Sequence, residues 1–131
     1  AADLGHHEFT YSILPHTDEW YCSSIEKEAF DLNNPLMAVS GAAKYEQGSL
    51  LTLDNEYVSL DCMKQAENSE DTVIRFHEYA GARGSVAVAC GIPVKAWCEC
   101  DLMEQPLEEL KEGPIQLAIK PYEIKTILVK F

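Results

Sequence analysis

At 131 residues, with 22 acidic against ten basic side chains and a formal net charge of −12, the chain has room for one domain, or one and a half, which excludes a large multidomain enzyme. The acidity excludes a basic phosphate-binding face, and with it nucleic acid and anionic lipid as partners. A composition 47% hydrophobic and 24% charged is that of a globular domain rather than a disordered segment, and no run of 18 apolar residues is present to span a membrane.

The opening AADLGHHEF has no initiator Met, basic region or apolar region, so it is not read as a signal peptide. A start inside a patterned run is what a piece of a longer protein would show. His7 to Leu14 alternates, with Phe9, Tyr11 and Ile13 on one face, and predicts a half-buried strand. Thr17 as N-cap and two first-turn acids open a helix over Asp18 to Leu32, with Tyr21, Ile25 and Ala29 as its apolar stripe. Asn33-Asn34-Pro35 ends it.

Met37 to Glu46 reads as a strand end and a connection. Short strands then follow over Ser49–Leu53, Tyr57–Lys64, Thr72–Tyr79 and Ser85–Cys90. They continue over Val94–Leu102, Ile115–Ile119 and Ile124–Phe131, each bounded by turn residues. Val58, Leu60 and Cys62 share one face. In the fifth of these strands Val94, Ala96, Cys98, Cys100 and Leu102 are expected inward, with Trp97 outward or covered. No long helical pattern separates the strands, so the expected fold is mostly β: an antiparallel β-sandwich with one N-terminal helix.

The five cysteines, Cys22, Cys62, Cys90, Cys98 and Cys100, are odd in number and irregular in spacing. That predicts reduced, mostly buried thiols and a cytoplasmic protein, not a disulfide framework or a zinc site. His6, His7 and His16 lie close, but neighbours on a strand point to opposite faces and there is no H-E-x-x-H. Glu78 and Asp101 sit among apolar neighbours. A glycosidase pair would need two carboxylates about 5 to 10 Å apart across a cleft, whereas partners for Arg75 or Lys120, or a solvated face, are the simpler expectation. Glu104, Glu108, Glu109 and Glu112 read as a solvated connection. Gly81-Ala82-Arg83-Gly84 reads as a hairpin turn whose Arg could clamp a carboxylate or a hydroxyl-rich ligand. Trp20, Trp97 and the six tyrosines could stack on sugars, with core packing expected for Tyr11 and Tyr21. No catalytic constellation emerges from the residues.

The order of local motifs adds a resemblance. Asp3-x-Gly5-x-His7-x-Phe9-x-Tyr11 with Pro15-His16 is similar to the "D-x-G-x-H-x-F-x-Y…P-H" segment of bacterial and cytosolic-type α-mannosidases of glycoside hydrolase family 38. Ala29 with Leu32-Asn33-x-Pro35-Leu36, Lys64-x-Ala66-Glu67, and Arg75-x-x-Glu78-x-x-Gly81 resemble later motifs of that family. So do Asp101-Leu102-x-Glu104-x-Pro106 and Pro121-x-Glu123-Ile124-x-Thr126. The resemblance implies residues 1–36 as the tail of a larger C-terminal β region and 37–131 as the small C-terminal β-sandwich. It implies a retaining, zinc-dependent parent enzyme acting on α-mannosides, with zinc and catalytic residues in an N-terminal domain that is the partner of this chain. No catalytic residue and no metal ligand is therefore assigned here. His7 and Arg83 are the candidates for facing the cleft or the domain interface. The alternative is an independent carbohydrate-binding module. A strand at residues 7–14 short of neighbours would also leave a sticky edge, which predicts a homo-oligomer.

Overall fold

A computed structural model of the chain describes residues 3–41 and 48–131. It comprises two compact units, Ala1–Val39 and Ser40–Phe131.

In the first unit the expected strand over residues 7–14 carries no regular structure, and Phe9, Tyr11 and Ile13 are about 80% exposed. This corrects both the strand and the core role expected for Tyr11. Alternation marks which face a strand would bury, but a strand also needs a ladder partner, and none pairs here among the described residues. The helix is shorter than its apolar stripe suggests. A single 3-10 turn covers Trp20–Cys22, and α1 runs Ile25–Asn33. The Ser23 hydroxyl donates to the Trp20 carbonyl (2.7 Å) and accepts from the Ile25 N–H (3.3 Å). Such local bonds compete with a continuous helix and separate the two turns. At the other end the Asn34 N–H donates to the Phe30 carbonyl, 2.8 Å, and Pro35 stops the helix. No residue of α1 is buried.

The second unit holds β1 (Leu51–Leu53), β2 (Val58–Gln65), β3 (Thr72–Glu78), β4 (Gly84–Cys90), β5 (Ala96–Cys100), β6 (Ile115–Ile119) and β7 (Ile124–Lys130). They form two antiparallel sheets, ordered β1-β4-β6 and β2-β3-β7-β5. Residues 42–46 of the connection expected over Met37–Glu46 lie outside the described residues, and 37–41 carry no strand or helix. The main core comprises Val58, Ile74, Phe76, Ile127, Val129 and Trp97 from the four-stranded sheet. Val86, Val88, Ile115, Leu117 and Ile119 come from the three-stranded one. The burial of β6 alternates perfectly along Ile115–Ile119 because only one of its faces is covered.

Two strand faces depart from expectation. A bulge at Asp61 shifts the β2 register between Leu60 and Cys62. An inserted residue reverses the side-chain alternation beyond it. Met63 opposite Ile74 therefore takes the core position, and Cys62 faces outward opposite Arg75. Val94 packs against the main core as expected, but along β5 itself the inward set is inverted. Trp97 enters the main core at 3% exposure, and Leu102 is exposed. Cys98 and Cys100 instead form a second buried cluster with Ala66, Val73 and Leu128 on the opposite face of the sheet. Both faces of β5 are buried, so period two alone does not identify the inner one. The segment after β5 is not a solvated connection either. Lys111 and Trp97 exchange backbone hydrogen bonds of 2.7 and 2.9 Å, and Leu107 N–H donates to Glu99 O at 2.9 Å. The segment thus runs back along β5.

Candidate functional site

The chemistry-bearing residues of the sandwich lie along the four-stranded sheet, Glu78 at one end of β3, Arg75 in its middle, and Lys64, on β2, near the other end. Glu78 ends β3 and is 1% exposed. Its Oε1 accepts the N–H groups of Ala80 (2.9 Å) and Ala82 (2.9 Å). Its Oε2 accepts those of Gly81 (3.0 Å) and Tyr122 (2.8 Å). Burial pushes this carboxyl upward, but four backbone donors outweigh it and hold it below the ordinary glutamate value. It binds two turns together: the one after β3 and the one at 120–123, where Glu123 N–H donates to Lys120 O at 3.1 Å.

Arg75, on the outward face of β3, donates from Nε to the Thr126 hydroxyl (3.1 Å) and from an Nη to the Leu102 carbonyl (3.2 Å). The Lys64 ammonium meets Glu104 (2.6 Å) and Glu67 (2.9 Å). The other Glu104 oxygen accepts the Glu67 N–H, 2.8 Å. Hydrogen bonds first, and charge second, lower the Glu104 carboxyl and raise the Lys64 ammonium. Asp101 accepts the N–H groups of Met103 (2.9 Å) and Gln105 (2.8 Å). The two carboxylates singled out from the sequence therefore brace turns. Glu78 pairs with backbone donors rather than with Arg75 or Lys120, and its accepting capacity is spent. Neither of these two is therefore free to act as the acid or base of a glycoside-hydrolysing pair.

His7 lies in the first unit, exposed, with Nε2 donating to the Asp3 carbonyl at 3.2 Å. Arg83 lies in the second, exposed, immediately before β4. Trp97 is buried and cannot offer a sugar-stacking shelf. Its Nε1 has no hydrogen-bond partner among the described residues, and the Lys111 ammonium stands 5.0 Å from its ring. All five thiols are free, with Cys98 and Cys100 buried and Cys22 exposed. Burial, then the neighbouring Cys98, pushes the Cys100 thiol up to about 11. Such a thiol is inert at neutral pH. Among the described residues no three His, Cys, Asp or Glu side chains stand together to hold a metal. The zinc that the resemblance implies for the parent enzyme thus has no ligand set among them. Among the described residues no helix is long and apolar enough to cross a membrane.

Tyr122, one of the six tyrosines that could stack on sugars, and His77 take specific places in the fold. Tyr122 is 69% exposed, sits at φ +57°, and its hydroxyl lies over Gly81. His77 donates from Nδ1 to Asp61 at 2.8 Å. A Pro-Tyr-Glu turn ahead of a strand was the signal for the first. The second depends on the Asp61 bulge, which the sequence does not announce.

Residues 57–127 match the family described as the glycosyl hydrolases family 38 C-terminal beta sandwich domain. The chain belongs to this family. As a family 38 C-terminal sandwich it is similar over 98% of its length to α-mannosidase 2C1 of Homo sapiens, at 29% identity, and of Mus musculus, at 30%. It is also 29% identical to α-mannosidase G of Dictyostelium discoideum over 95% of its length. It spans only 13% of the length of the first two and 12% of the third. No solved structure matches it. The family's motifs acquire a physical meaning in this fold. Lys64 and Glu67 meet Glu104. Arg75 meets Thr126 and the Leu102 carbonyl. Glu78 meets Gly81 and the Tyr122 N–H. Motifs far apart in sequence fasten to each other.

Proposed function

We propose that this chain is the non-catalytic C-terminal β-sandwich of a zinc-dependent, retaining α-mannosidase, packing on the catalytic domain and supporting its carbohydrate-binding cleft. One observation carries the reading: the two carboxylates that stand out in the sequence, Glu78 and Asp101, are occupied in holding turns, in a chain whose relatives are named α-mannosidases. The catalytic chemistry, with its zinc and its nucleophile, is assigned to another domain of the same polypeptide. Exposed apolar side chains in the first unit, Phe9, Tyr11, Ile13, Leu36 and Met37, supply the kind of surface an intramolecular interface covers. Five free thiols favour a cytoplasmic setting.

The test is a chimera in which this chain replaces the matched segment of mouse α-mannosidase 2C1, compared with the same enzyme lacking that segment. The chimera should recover soluble protein and hydrolysis of p-nitrophenyl α-mannoside that the deletion loses. Full activity in the deletion, or no recovery in the chimera, would refute the supporting role. Hydrolysis by the 131-residue chain alone would refute its being non-catalytic.

A further inference from the structure

We propose that the end of the sandwich carrying the Gly81–Arg83 and Lys120–Glu123 turns contacts carbohydrate directly, the Tyr122 ring receiving the apolar face of a hexopyranoside and the Arg83 guanidinium donating to its hydroxyls. The choice of a mannoside rests on the α-mannosidase reading above.

Glu78 fixes three N–H groups of one turn and one of the other. The two turns are held in one arrangement by charge-assisted bonds inside the protein, a stiffness a loose connection does not need. What that arrangement displays is unusual. Tyr122 occupies the left-handed region at φ +57°, which a bulky side chain adopts only where its surroundings impose it. Yet its ring buries little and stands 69% exposed, so core packing does not repay the strain. Gly81, at φ +78°, makes room for it: a Cβ there would come within 2.7 Å of the Tyr122 hydroxyl. Two residues on, Arg83 is exposed and makes no hydrogen bond or ion pair among the described residues, in a chain with a net charge of −12. The pairing of Gly84 with Ile119 sets Arg83 beside Lys120 at the same end of the sheet.

An exposed aromatic ring on a fixed turn, with an unpaired guanidinium two residues from the glycine it lies over, fits a ligand with a C–H face and many hydroxyls. Two neighbouring cations argue against a metal ion or a basic peptide. Preorganisation lowers the ordering penalty of binding, which matters for a weak single-sugar contact.

The experiment titrates the isotopically labelled 131-residue chain with methyl α-mannoside, with methyl α-glucoside and methyl β-galactoside in parallel, following amide shifts. Saturable shifts confined to residues 79–84 and 120–124 are expected with the mannoside. Arg83→Ala should weaken them about tenfold. So should Tyr122→Asn, chosen because Asn tolerates a positive φ and removes only the ring. Unperturbed spectra elsewhere show that both variants fold. No shift at these turns with any sugar, or shifts that both variants retain, would overturn the inference whatever the chimera does. Tip shifts with glucoside or galactoside but not mannoside would leave the carbohydrate contact standing and count against the α-mannosidase reading.

Discussion

Glu78→Gln is the sharpest probe of how the turns are held. The glutamine keeps one acceptor oxygen and places an NH2 group where the other was. Whichever way it sits, two of the four N–H groups of Ala80, Gly81, Ala82 and Tyr122 face a donor in a site closed to water. A hydrogen bond to a charged group contributes about 1.5 to 3 kcal/mol, so losing two costs about 4 kcal/mol. For a domain of this size that is a fall in Tm of about 16 °C or more. Urea unfolding followed by tryptophan fluorescence reports the change, since Trp97 lies in the main core. The pH dependence is a second readout. The native carboxyl lies below its ordinary 4.5, so its contribution is fully present above that value and is lost as the pH falls through the native one. The wild type should therefore lose stability in that acidic window, and the variant should lack that component. A loss below about 1 kcal/mol, or an unchanged acid limb, would refute the view that this carboxylate holds the two turns.

Gly81→Ala should cost about 1 to 3 kcal/mol, because it combines a positive φ with a clash against Tyr122. In a Tyr122→Asn background the loss should shrink toward the backbone share, measurable as a double-mutant cycle by urea unfolding. Glu104→Gln should speed hydrogen exchange at the Glu67 amide, which the carboxylate accepts at 2.8 Å, while leaving the Ile74 amide protected. Phe76→Ala, at a fully buried site, should cost about 3 to 5 kcal/mol in chemical unfolding. A thiol reagent at neutral pH should label Cys22 promptly and Cys98 and Cys100 only after denaturation, since both are buried.

The sheets were legible where a strand buries one face. Ile115–Ile119 reads as a strand from its alternation, and Ile115, Leu117 and Ile119 are the residues it buries. β5 was read with its faces reversed because both are covered. The large Trp97 fills the gap between sheets, and the small Cys98 and Cys100 fit with Ala66 and Leu128 on the outer side. Periodicity cannot rank two buried faces. The Asp61 bulge was illegible for a related reason, since an inserted residue leaves no mark until its partner strand is known. Residues 7–14 show the converse failure, a good strand pattern without a ladder. Glu78 and Asp101 stood out among apolar neighbours, but their partners are backbone N–H groups. No sequence displays those, and this is why the turns they brace, and Tyr122 with them, became visible only in the fold.

The position of β7 has a consequence for how the molecule comes into being. The last strand in the sequence lies between β3 and β5 at the centre of its sheet. Until residue 130 has left the ribosome, β3 has only one neighbour and β5 lacks its main one, so the sandwich cannot close gradually as it is made. Until then β3 and β5 wait without their shared neighbour and with apolar faces uncovered, dependent on chaperones or on speed. A nonsense codon only a few residues before Ile124 would therefore remove the whole sandwich rather than trim its end.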